Sequence, residues 1–147
     1  MKKTKAVVLG VGNRMRSDDG VGCEVARELA KRNLPALEVI EAGTVPEDYL
    51  NKIIELTPEK IIIVDAADIG SAPGDFKVIA DEELNSFSFH THALSPVLLI
   101  QYLKAHLNAD IYFVAVQPFS TALGEGLSPE LRKRLKEIVE FIIVLAN

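Results

Sequence analysis

Cysteine occurs once in this 147-residue chain, at Cys23. A single thiol excludes an intrachain disulfide and makes a reducing compartment the default. Long apolar runs are missing as well, and none approaches the roughly 20 residues of a membrane-spanning helix. The basic start, Met1-Lys2-Lys3-Thr4-Lys5, meets only Ala6 to Leu9 before Gly10, far short of a signal-peptide core. A cytoplasmic protein with no membrane insertion is expected. Basic excess is absent too: 16 Lys and Arg stand against 21 Asp and Glu, a net charge of −5. The densest basic stretch, Arg132-Lys133-Arg134 with Lys136, runs beside Glu130, Glu137 and Glu140 in a helical pattern. That is a solvated helix face, so no nucleic-acid partner is expected. Repeats, linkers and low-complexity segments are lacking. So are His-Glu-x-x-His, Gly-x-Ser-x-Gly, a Walker loop and Cys-x-x-Cys.

What is present is a core. Apolar residues make up 48% of the chain, enough for one ordinary domain spanning residues 1–147. Ala6 to Leu9 reads as a strand buried on both faces, and the pattern turns helical from Gly20, with Val21, Val25, Ala26 and Leu29 on one face. Leu37 to Ile40 reads as a second strand ending at Ala42-Gly43-Thr44. Pro46 opens a helix that continues through Tyr49, Leu50, Ile53 and Ile54. Lys60 to Asp65 is the clearest strand, and Phe76 to Ile79 is a short one at an edge. A helix runs from Ser95 to His106, then a strand from Ile111 to Val116. A last helix starts at Ser128-Pro129 and buries Leu131, Leu135, Ile138, Val139 and Ile142. Strands alternating with helices specify an α/β fold: a three-layer α/β/α domain around a mostly parallel five-stranded sheet.

Ligands of open α/β sheets bind outside the carboxyl ends of the strands. After the first strand comes Gly10-Val-Gly12-Asn13, then Asp18-Asp19-Gly20-Val-Gly22. The Gly-x-Gly opening hints at a dinucleotide site, with Glu41 as ribose partner, but Met15 stands where the third glycine should be. Tight strand-to-loop turns need glycine in any case. One of Asp18 and Asp19 reads most simply as the cap of the following helix, a setting that also suits a metal-ligating carboxylate. Asp65 closes an apolar strand, where a charge without a partner is costly, and so reads as functional. His90-Thr91-His92, spaced i and i+2 opposite these acids, points to metal binding. His106 reads as structural, and Cys23 as a small core residue. One nitrogen and two carboxylates would accept Ni, Zn, Mn or Fe, and ligand type alone does not choose.

Taken together these residues resemble the nickel-iron hydrogenase maturation endopeptidases. The likeness is carried by the Gly10 to Gly22 segment, Gly43-Thr44, Ile63-Val64-Asp65-Ala66, Thr91-His92 before a helix containing Pro96, and Val116-Gln117-Pro118. Val-Asp-Ala and Val-Gln-Pro resemble the branch serving formate-hydrogenlyase-type or related membrane-bound hydrogenases. The resemblance implies an endopeptidase that removes a C-terminal extension from the hydrogenase large-subunit precursor. It implies recognition of nickel carried by that precursor, with no metal of the enzyme's own and no organic cofactor. Its metal-contacting set would be Asp19, Asp65 and His92, with Asp19 and Asp65 catalytic. Gly43 and Thr44 would line the substrate cleft, and His90 has no counterpart. A monomer is expected.

Two rivals compete with this reading. A phosphoryl receiver would gather similar acids, but its acid pair sits at the strand end and it wants a lysine where Gln117-Pro118 stands. A dinucleotide-binding domain is the other.

Overall fold

The computed structural model describes residues 4–86 and 95–147. Five strands form one sheet: β1 (Ala6–Val11), β2 (Leu37–Gly43), β3 (Lys60–Ala66), β4 (Phe76–Ile79) and β5 (Asp110–Val116), in the order β2-β1-β3-β5-β4. β1, β2, β3 and β5 run parallel, and β4 pairs antiparallel with β5 at the edge. The expected mostly parallel sheet is thus present, and the short strand lies at an edge as its length suggested.

Among the described residues four α-helices cover it: α1 (Val21–Ala30), α2 (Leu50–Leu56), α3 (Pro96–His106) and α4 (Pro129–Ala146). The strand residues divide by parity between two cores, as side chains alternating across a pleat must. Val7, Leu9, Ile61, Ile63 and Phe113 join Ile53 of α2 with Leu99 and Leu103 of α3. Val8, Ile62, Val64 and Val114 join Val25 and Leu29 of α1 with Leu131, Ile138 and Ile142 of α4. Both faces of β1 and β3 are therefore dry, which is why these strands read as unbroken apolar runs.

Local signals set the ends. Ser95 and Ser128 each accept the N–H of the residue three positions on, capping α3 and α4, and a proline follows each cap. Pro46 opens a 3-10 turn, Pro46–Tyr49, and the α-helix begins only at Leu50. β1 has β2 on one side and β3 on the other, so the chain reverses direction across the sheet between them. The carboxyl ends of β1 and β3 flank this switch point, where α/β sheets form their crevice.

Candidate active site

The segment after β1 is built by close backbone approach. A Cβ on Gly10 would stand 2.3 Å from the Gly22 carbonyl oxygen, and one on Gly22 would stand 2.2 Å from that of Val64 and 2.3 Å from that of Val11. Only glycine lets the start of α1 rest directly on the ends of β1 and β3. Gly12, at φ +147°, has the Asp19 carbonyl oxygen 2.0 Å from where its Cβ would be. The glycine spacing that hinted at a dinucleotide is accounted for by helix-on-strand packing. Glu41, the expected ribose partner, is exposed and pairs with Arg27 at 2.9 Å.

Asp18 and Asp19 lie in a 3-10 turn, Ser17–Gly20, and both are fully buried. Neither caps α1, whose N-cap is Gly20 with no side-chain bond. This departs from the capping expectation. Asp18 instead crosses to the other end of the chain. Its Oδ2 accepts the N–H of Phe119 at 2.9 Å, the N–H of Ser120 at 3.2 Å and the Ser128 hydroxyl at 2.8 Å. Its Oδ1 accepts the Ser128 N–H at 2.7 Å. Asp19 is different: Oδ2 accepts the Asn13 N–H at 3.0 Å, while Oδ1 is buried with no hydrogen-bond partner among the described residues. A buried carboxylate oxygen in that state is costly unless something completes it.

Asp65 stands one residue before the end of β3 with 1% of its surface exposed, and its Oδ1 accepts the N–H of Ala66 at 2.8 Å. The turn carrying Asp19 packs against β3, so the two acids share the same strand-end edge. Gly43 closes β2 beside them, its carbonyl accepting the Gly12 N–H at 2.9 Å, with open space around it at φ +61°. Thr44 follows, half-buried. His90 and His92 lie outside the described residues. Among the described residues no cluster of three or more His, Cys, Asp or Glu side chains is poised for a metal.

Cys23 sits beneath this edge, fully buried, its thiol 3.4 Å from the Gly12 carbonyl oxygen. Burial, reinforced by the charges of Glu41 and Asp65, pushes the thiol up to about 12. Cys23 is a packing residue, not a nucleophile.

Three contributors escaped the local patterns. Ser128 serves both α4 and Asp18. Asn13 holds Asp19 and, through Oδ1, accepts the Met15 N–H at 2.9 Å. Gln117 is nearly buried and accepts the Ile69 N–H at 2.7 Å, anchoring the loop after β3. Asn13 carried a signal, since Asn after Gly favours such turns. The other two act over long sequence separations.

Known proteins share this fold. The hydrogenase maturation protease family model, HycI, matches residues 23–145. The chain belongs to the hydrogenase maturation protease family. A putative hydrogenase maturation protease of Methanocaldococcus jannaschii is 36% identical over 149 residues, covering 97% of each chain. The hydrogenase 3 maturation protease of Escherichia coli K12 is 35% identical over 113 residues, covering 76% of this chain and 72% of that one. The crystal structure of a nickel-iron hydrogenase maturation protease from Thermococcus kodakarensis KOD1 superposes with a TM-score of 0.86 at 30% identity, over 97% of this chain and 92% of that one. Family membership sets aside the receiver and dinucleotide readings, and Gln117 has a structural duty where a receiver would need its lysine.

Proposed function

We propose that this chain is the endopeptidase that removes the C-terminal extension of a hydrogenase large-subunit precursor, recognising nickel carried by that precursor. The observation that carries the reading is the buried Oδ1 of Asp19, without a hydrogen-bond partner among the described residues, on the strand-end edge that also holds Asp65. A carboxylate so placed is ready to complete the coordination of an ion brought in by another polypeptide. Asp19, Asp65 and His92 would grip the nickel, His92 being assigned by the family resemblance. With the metal held there, the extension lies across the strand ends near Gly43 and Thr44. Asp19 or Asp65 would then activate water, or the nickel would polarise the scissile carbonyl. Nickel is cargo in this scheme, and the enzyme needs no organic cofactor. An aspartic-type, cytoplasmic, monomeric protease completes the proposal.

The test mixes the purified protein with a candidate large-subunit precursor, nickel-loaded or nickel-free, and follows loss of the tail by mass spectrometry. Cleavage of the loaded form alone is expected. Asp19→Ala and His92→Ala should each stop cleavage while circular dichroism stays native. Equal cleavage of both precursors, or full activity in either variant, would refute the assignment.

A further inference from the structure

We propose that Asp18 is the positioning residue of this site: it touches no substrate, and it sets where Asp19 stands by locking their shared turn onto the 119–128 segment. Asp19's ligating role rests on the function proposed above.

The two neighbouring acids divide their labour. Asp18 spends both oxygens inside the protein, on three backbone N–H groups and one hydroxyl. Asp19 keeps one oxygen uncommitted among the described residues. What orients that oxygen is local to the turn: Asn13 donates to Oδ2, and the Asp19 N–H donates to the Arg16 carbonyl at 3.0 Å. The turn in turn is fixed from outside by the 119–128 segment. Ser17 N–H donates to the Gly124 carbonyl at 2.8 Å, Asp18 N–H to that of Ser120 at 3.0 Å, and Gly124 N–H to that of Met15 at 2.8 Å. Ser17 itself sits at φ +52°, a left-handed conformation that a serine holds only when its surroundings over-determine it. The Ser17 hydroxyl adds a bond to the Ala122 carbonyl at 2.7 Å, and the Asp18 side chain carries the linkage on to Ser128, the cap of α4. An 18-residue helix packed on the sheet is a rigid reference, so the free oxygen of Asp19 inherits its placement from α4. Preorganisation of this kind is what a site gripping an incoming ion requires.

The experiment compares Asp18→Asn, Ser128→Ala, Ser128→Thr and Lys60→Met. Lys60 ties down the far end of α4, through the Leu145 carbonyl at 3.0 Å, and serves as a stability control remote from the site. Two readouts are taken: hydrogen exchange of the Asn13 amide by NMR, and single-turnover cleavage of nickel-loaded precursor with its KM. D18N and S128A should speed Asn13 exchange about tenfold. They should slow cleavage about tenfold with little change in KM. S128T restores the hydroxyl and should restore both. K60M should lower the melting temperature and leave both readouts alone. If D18N and S128A behave like K60M, the positioning role is overturned. Should D18N fail to fold, the S128A and S128T pair decides in the same way. Should the wild-type protein leave the loaded precursor intact, the proposed function falls, and Asn13 exchange alone decides: faster in S128A supports the role of Asp18, unchanged overturns it.

Discussion

At the amino-terminal end of the sheet Lys60 extends to the last turn of α4, donating to the carbonyls of Leu145 at 3.0 Å and Asn147 at 2.6 Å, and Arg32 meets Glu140 nearby in solvent. At the carboxyl end Asp18, Asp19 and Asp65 are buried, and α1 touches the strands through glycines that have no room for a methyl group. The first end is ordinary protein surface, where charges stay hydrated and contribute little. The second gives up hydration and side-chain volume, which proteins tolerate where function demands it. The contrast singles out the carboxyl end as the place for the proposed site without reference to any relative.

The largest effect that would break the contrast comes from filling the carboxyl end. Gly22→Ala drives a Cβ to 2.2 Å from the Val64 carbonyl oxygen and 2.3 Å from that of Val11, both backbone atoms of central strands. Neither can move without disturbing the sheet, so we expect a loss of about 3 kcal/mol or more in urea unfolding. A loss below about 1 kcal/mol would mean that α1 is not seated on β1 and β3 as described.

The next effect is a pH dependence confined to the same end. In the folded chain Cys23 keeps its proton up to about 12, against an ordinary value of 9.0. Unfolding exposes a thiol that ionises above pH 9, so the unfolded state holds fewer protons there. The stabilisation is complete below pH 9 and is lost as the pH rises toward 12, by about 1.4 kcal/mol per unit. Cys23→Ala should remove that part of the slope, measured as the difference between wild-type and variant unfolding free energies at pH 8 and pH 10. Iodoacetamide at pH 8 should leave the folded protein unlabelled. Parallel slopes, or ready labelling, would place the thiol near solvent.

How much of this was legible in the sequence depends on the range of the interaction. Unbroken apolar runs gave β1 and β3, Ser-Pro pairs gave the starts of α3 and α4, and the shortness of Phe76 to Ile79 gave β4 as an edge. These depend on neighbours within a few residues. Asp65 was legible as a candidate because a charge closing an apolar strand asks for a reason, and Asp19 because an acid ahead of a helix suits a metal ligand as well as a cap. The duty of Asp18 was not: its partners at Phe119, Ser120 and Ser128 lie more than 100 positions away. An Asp-Asp pair ahead of a helix looks like a cap, and only the folded chain shows one acid serving a different helix. Gln117 was noticed for what it is not, a lysine, while its carbonyl's role in holding Ile69 depended on tertiary geometry.

The smallest expected effect sharpens the contrast from the amino-terminal side. Arg32 and Glu140 approach to 2.7 Å, but their side chains remain 40% and 50% exposed. Each keeps most of its hydration when the pair breaks, and each gives up rotamer freedom when it forms. A double-mutant cycle with Arg32→Ala and Glu140→Ala should yield a coupling of no more than about 0.5 kcal/mol. Raising the salt from 0.1 M to 1 M should reduce it further, because the Debye length shrinks from about 10 Å to about 3 Å. Precursor cleavage should not respond. A coupling several times larger would mean that this end also orders its charges, and the difference between the two ends would no longer mark the site.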